Sequence, residues 1–217
     1  MIVPSMTLAE VLSELRRDFE TIRRKTKVQS QLLVKEMQRK GLARQTVFTS
    51  FKTCHRNEWN IVSLVAAEGV KTFYYIKVAD NQTIAVYSFV FQDIDTPNEE
   101  ISLIKFYKHF FDRYNERMCL GLTEFSKIIK HFFKNNSEFK LGATEVLENG
   151  IKSCSFIYHE GMGISWKDES QNTYHIKTFI SKEMFTNNQQ RLAHHLQYDV
   201  DDDFIYTIKL EHLRKVG

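Results

Sequence analysis

Thr72-Phe73-Tyr74-Tyr75-Ile76-Lys77-Val78-Ala79-Asp80-Asn81-Gln82-Thr83-Ile84-Ala85-Val86-Tyr87-Ser88-Phe89-Val90-Phe91 is two runs of strand-forming residues around one polar break. Val, Ile, Tyr and Phe dominate both runs, and Asp80-Asn81-Gln82 is a turn-type separator. Residues 59–67 form a third run of the same kind, set off by Glu68-Gly69. Turns this short join antiparallel neighbours, so the three runs predict a meander. In the last run Ile84, Val86, Ser88 and Val90 alternate with Ala85, Tyr87, Phe89 and Phe91, which leaves both faces largely apolar. Such a strand is expected to be covered on both sides, with the N-terminal helical region on one of them.

Working back from the meander, residues 7 to 40 read as helix. Thr7-Leu8-Ala9-Glu10 has the form of a capping box, and Leu8, Leu12, Leu15, Phe19 and Ile22 recur at steps of three and four. Leu32, Leu33, Glu36, Met37 and Arg39 continue a helical stretch, and Gly41 is a suitable stop. One long helix and a hairpin of two both fit this pattern.

Working forward, the polar segment 93–100 with Pro97 is the expected boundary between two parts, residues 1–96 and 97–217, with one continuous domain as the alternative. Helices are predicted over 102–118 and over 123–134, the second with Thr123 as N-cap and Phe125, Ile128, Ile129, Phe132 and Phe133 as its core stripe. Strands are predicted at Val146-Leu147 before the hairpin signal Asn149-Gly150, and over 152–158, 163–167 and 174–180. Gly161-Met162-Gly163 reads as a break, hairpin turn or bulge. A helix starting at Ser181 runs towards Leu196, then come an acidic turn over 199–203 and a final strand or short helix over 204–210. The predicted fold class is α+β: N-terminal helices with an antiparallel meander, then helices packed on a second antiparallel sheet.

Composition narrows the function classes. The chain has 217 residues, 42% hydrophobic and 13% aromatic, so a substantial aromatic-rich core is available. Two Pro and eight Gly exclude a collagen-like chain and argue against long disordered linkers. No apolar run approaches the roughly 18 residues of a membrane helix, and Met1-Ile2-Val3-Pro4-Ser5 leads straight into a charged amphipathic segment with no signal peptide. The chain therefore reads as cytoplasmic, with no membrane partner. Cys54, Cys119 and Cys154 form no CxxC pair, which removes zinc-ribbon readings and leaves buried, reduced thiols as the expectation. Residues 1–45 hold ten Lys/Arg against five Asp/Glu, a balance of +5, so the rest carries −2 of the net +3. A basic arm over 7–40 suits nucleic acid or a protein partner, although a solvated helix face is the plainer reading of so small a bias.

The chemistry-bearing stretch is His109-Phe110-Phe111-Asp112-Arg113-Tyr114-Asn115-Glu116-Arg117. At about 100° per residue, His109, Asp112, Arg113, Glu116 and Arg117 share one arc of a helix and the aromatics the other. An imidazole exchanges protons near neutral pH, and neighbouring guanidiniums clamp phosphate and stabilise charge growing on it. The plainer alternative is an exposed face of ion pairs. Metal sites have less support. His159-Glu160 is placed on a strand, where neighbours point to opposite faces, His194-His195 lack helical spacing, and the acidic run 199–203 lacks the EF-hand pattern. No phosphate-binding glycine loop or nucleophile elbow occurs, and no cofactor or metal is implied. Trp59 and Trp166 read as core or half-exposed sheet residues.

The order of a helix with His109, Arg113 and Arg117 at steps of four, a further helix and an antiparallel block resembles the small bacterial ribonucleases and toxins of the barnase–RelE type over residues 102–182. The segments HFF-x-RY-x-ER-M and KTFIS also resemble uncharacterised bacterial proteins. The first resemblance implies metal-independent RNA cleavage. His109 would transfer the proton, Arg113 and Arg117 would hold the phosphate, and Thr178 would supply a positioning hydroxyl, with His159 and His175 as alternatives. The competing expectation is a non-catalytic interaction or oligomerisation protein that uses its basic N-terminal helix.

Overall fold

The structure, a computed structural model, describes residues 1–3, 5–41, 44–66, 69–80, 83–90, 102–136, 139–142, 145–146 and 152–198. The segments 93–100, 199–203 and 204–210 and the pair Asn149-Gly150 lie outside the described residues.

The N-terminal region is one helix, α1 (Leu8–Lys40), of 33 residues. Its capping box is formed: the Glu10 N–H donates to Thr7 Oγ1 at 3.3 Å and the Thr7 N–H to Glu10 Oε2 at 2.7 Å. Gly41 ends it at φ 62°, in the left-handed region that a side chain disfavours. Leu12, Leu15, Phe19 and Ile22 of the expected stripe are buried, Leu8 is partly buried, and Val11 joins them.

The meander follows as β1 (Arg44–Lys52), β2 (Glu58–Ala66), β3 (Gly69–Asp80) and β4 (Thr83–Val90), each antiparallel to the next. The sequence reading missed β1, whose polar-rich run sits at the edge of the sheet and, among the described residues, pairs with β2 alone. The helix expected from residue 102 begins instead with a strand, β5 (Ser102–Tyr107), before α2 (Lys108–Arg117). Leu103 enters one apolar cluster while Ile104 and Phe106 enter another, a two-residue period that helical spacing cannot give. α3 (Phe125–Asn135) is capped by Glu124 and not Thr123, with no side-chain bond.

The second strand block is β6 (Phe139–Leu141), β7 (Glu145–Val146), β8 (Lys152–Tyr158), β9 (Gly161–Asp168) and β10 (Thr173–Ser181). Gly161-Met162-Gly163 opens β9 and is no break. A Cβ on Gly161 would lie 2.2 Å from the Ile180 carbonyl oxygen and 2.5 Å from the Phe179 ring, so bare backbone is what lets β9 meet β10 there. The helix expected from Ser181 starts later. A 3₁₀ turn, Lys182–Met184, precedes α4 (Asn187–Tyr198), and Thr186 and Gln189 exchange capping bonds of 2.9 and 3.4 Å at its start.

The two strand blocks form one sheet, in contrast to the separate second sheet expected. The path runs β1-β2-β3-β4-β5-β10-β9-β8-β6, with β7 also on β8. β5 pairs with β4 on one edge, and β10 takes its other edge in parallel register, Leu103 against Thr173 through Phe106 against Ile176. Helices α2 and α3 pack on one face through Phe110, Phe111, Tyr114, Ile129 and Phe132 against Ile104, Phe106, Phe156 and Phe179. Their rings meet edge to face, Phe110–Phe132 at 5.1 Å and 90° and Tyr114–Phe179 at 5.0 Å and 90°. On the opposite face α1 covers Trp59, Ile61, Tyr74, Ile76 and Leu103, and Phe185 and Ala193 cover Ile157 and Met162 at the other end.

Candidate functional site

α2 carries the predicted polar arc, since Phe110, Phe111 and Tyr114 are fully buried beneath it. The cations on that arc are already engaged. Arg113 Nη1 donates to Glu116 Oε2 at 2.6 Å and its Nε to His109 Nε2 at 3.4 Å. Lys108 Nζ donates to both oxygens of Asp112 at 2.8 Å. Arg117 Nη1 is spent on the Phe179 carbonyl oxygen of β10. Arg117 therefore ties the helix end to the sheet.

Thr178 is not brought to these residues. It pairs with Ile164, which packs with Met162, Ile180 and Phe185 on the face away from α2. The whole sheet separates it from His109. His159, exposed, and Glu160 lie in the turn between β8 and β9, and not on a strand as expected. Glu160 reaches inward: Tyr114 Oη and Asn136 Nδ2 each donate to its Oε2 at 2.6 Å, and His131 Nδ1 lies 2.8 Å from Tyr114 Oη. Burial, reinforced by Glu160, pushes the Tyr114 hydroxyl well above its ordinary range, so it stays protonated and acts as a tie between α2 and the turn.

A second group of candidate residues lies on the other face, where four strands set them in line; of these the sequence offers only His175, as an alternative to Thr178. Register aligns Tyr87 of β4 with Lys105 of β5, Lys105 with His175 of β10, and His175 with Trp166 of β9. The Trp166 and His175 rings stack at 4.6 Å and 14°, and Tyr107 stacks on Trp166 at 5.9 Å and 22°. Lys105 Nζ sits 5.1 Å from the Tyr107 ring centre and Lys177 Nζ 4.4 Å from that of Trp166. A bulge between Ile176 and Thr178 puts Lys177 and Thr178 on this same face. Trp166, Tyr107 and Lys105 are half-buried and Lys177 is exposed, so the rings and cations reach the surface between the areas covered by α1 and α4.

His175 is the buried centre of this platform. Burial pushes its imidazole down to about 4; Lys105 and Lys177 push the same way and Asp168 opposes them. The ring is therefore neutral at pH 7, and its Nδ1 shares a hydrogen bond of 3.1 Å with the Tyr107 hydroxyl. The sequence signal was present in Lys105-x-Tyr107 and His175-x-Lys177, pairs at strand spacing that put charge and aromaticity on one face.

Of the three thiols expected to be buried, only Cys154 is; Cys54 and Cys119 sit in turns and are exposed. Among the described residues no group of His, Cys, Asp and Glu is arranged to hold a metal ion, and no helix is long and apolar enough to cross a membrane. Comparison of the chain with family models, with curated proteins and with solved structures finds no match.

Proposed function

We propose that this protein binds single-stranded RNA on the sheet face formed by β5, β10 and β9, without cutting it. The observation that carries this reading is the row Lys105–His175–Trp166, with Tyr107 stacked beside it and Lys177 over the indole. Unpaired bases stack on aromatic rings whatever their identity; a base stacking on Trp166 would take the place of Lys177 over the indole, whose ammonium would swing aside to the adjoining phosphate. Cleavage of toxin type is the weaker reading. It needs a base, an acid and phosphate clamps around one point, whereas Arg113 and Arg117 are bonded elsewhere and Thr178 lies across the sheet.

The test is a titration with oligouridylate at low salt, read by tryptophan fluorescence. Trp59 is fully buried, so a change reports Trp166. Quenching is expected, and Trp166→Ala, followed by anisotropy of labelled RNA, weakens binding about 5- to 150-fold, the equivalent of ~1–3 kcal/mol for one stacked base. Lys177→Ala lowers the slope of log affinity against log salt by about 0.7. Unchanged affinity in Trp166→Ala sinks the reading, and RNA breakdown that His109→Ala abolishes replaces it with the ribonuclease.

A second reading, self-association through α1, rests on Val28 and Leu32. They lie one turn apart and are 60% and 62% exposed. Light scattering tests it: a dimer that Leu32→Glu converts to monomer supports the reading, and a monomeric parent removes it.

A further inference from the structure

The turn between β1 and β2 holds a nucleophile, a base and an orienting acid. Cys54 is exposed, and its Sγ lies 3.7 Å from Nε2 of His55. The other ring nitrogen, Nδ1, lies 2.5 Å from Asp18 Oδ1 on α1. Asp18 is 1% exposed, and its Oδ2 accepts from Thr53 Oγ1 at 2.9 Å, Asn57 Nδ2 at 2.6 Å and Trp59 Nε1 at 3.1 Å. Burial alone would raise this carboxyl. The hydrogen bonds from Asn57, His55, Trp59 and Thr53 outweigh burial and hold it below the ordinary carboxylate range. A fixed carboxylate keeps the imidazole proton on Nδ1, which leaves the Nε2 lone pair facing the thiol. Cys119, also exposed, has no His–Asp pair bonded to it among the described residues and serves as the comparison thiol of the same chain.

We propose that Cys54 is a reactive thiol, activated by His55 and Asp18, that exchanges with low-molecular-weight disulfides. Nε2 takes the Sγ proton. The thiolate attacks one sulfur of R–S–S–R, the S–S bond breaks, and a Cys54 Sγ–S–R bond forms. The leaving R–S⁻ takes the proton back from His55 and departs as R–SH. Cys54 is oxidised to a mixed disulfide and one R–S group is reduced, so the step balances. His55 acts on the thiol and Asp18 on His55; both are positioning residues. The charged group placed against the imidazole among the described residues is Asp18 from α1.

The probe is 5,5′-dithiobis(2-nitrobenzoate), with the site of modification resolved by peptide mass spectrometry. At pH 7 Cys54 is expected to react at least about tenfold faster than Cys119, and the two rates to converge near pH 10, where an ordinary thiol of pKa about 8.5 is ionised unaided. This comparison lies within the parent protein and depends on no variant folding. His55→Gln should bring the Cys54 rate at pH 7 down to that of Cys119. Equal rates at pH 7, a ratio that does not change with pH, or a rate indifferent to His55→Gln each overturns the proposal.

Discussion

His175 carries a cost that only pH reveals. Its imidazole is held at about 4 in the folded chain, while an unfolded histidine takes a proton near 6.5. Between those values the unfolded chain binds more protons than the folded one, so stability rises with pH across the window. Equivalently, it is lost as the pH falls from about 6.5 towards 4. A series of melting temperatures against pH for the parent and for His175→Gln checks this. The parent should lose more stability than the variant between pH 6.5 and 4, and parallel curves would refute the assignment. In NMR the His175 ring should titrate near 4. The residue was legible only as a spare histidine on a strand, an alternative to Thr178. Its stacking on Trp166 comes from cross-strand register, and its contact with Tyr107 comes from a strand more than sixty residues away in the chain. Local pattern carries neither.

At the scale of elements, what the sequence announced was what depends on near neighbours. The α1 capping box, its apolar stripe and Gly41 stop, the buried arc of α2 and the α3 stripe all follow from spacing within a few turns. β5 was misread because Leu103, Ile104, Phe106, Tyr107, Phe110 and Phe111 together satisfy a helical pattern, and only pairing with β4 and β10 selects the strand for residues 102–107. Gly161 illustrates the reverse case, in which a glycine that read as a break is required inside a pairing. Gly161→Ala should destabilise the protein by about 1–3 kcal/mol, because the added methyl meets the Ile180 carbonyl and the Phe179 ring within one pair of strands. Thr7→Ala should cost about 1 kcal/mol by removing an N-cap. Chemical denaturation measures both; a Gly161→Ala protein as stable as its parent would show that β10 yields at that point.

The whole molecule turns on the seam between β5 and β10. Seen as sequence, residues 1–96 and 97–217 look separable, each with helices and strands of its own. In the fold the strand that opens the second part completes the meander of the first, and β10, the last of the described strands, returns to lie beside it. Both halves share the core under α2 and α3: Val62, Tyr75 and Val86 come from the meander, Phe156, Tyr174 and Phe179 from the second block. Phe106 sits at the junction, 2% exposed, with its ring 5.2 Å from Phe110, 5.7 Å from Phe111 and 5.8 Å from Phe133. A sheet joined this way should open as one unit, so its slowest-exchanging amides in β3 and in β9 should report the same opening free energy. Phe106→Ala leaves a cavity at the seam and should lower that energy by about 3–5 kcal/mol in both strands together. Hydrogen exchange resolved by residue makes the measurement. If protection falls in β9 while β3 keeps its parent value, the halves fold independently and the seam is only a contact. If both fall by the same amount, the RNA-binding row proposed above, which crosses the seam from Lys105 to His175, rests on a joint as stable as the molecule itself.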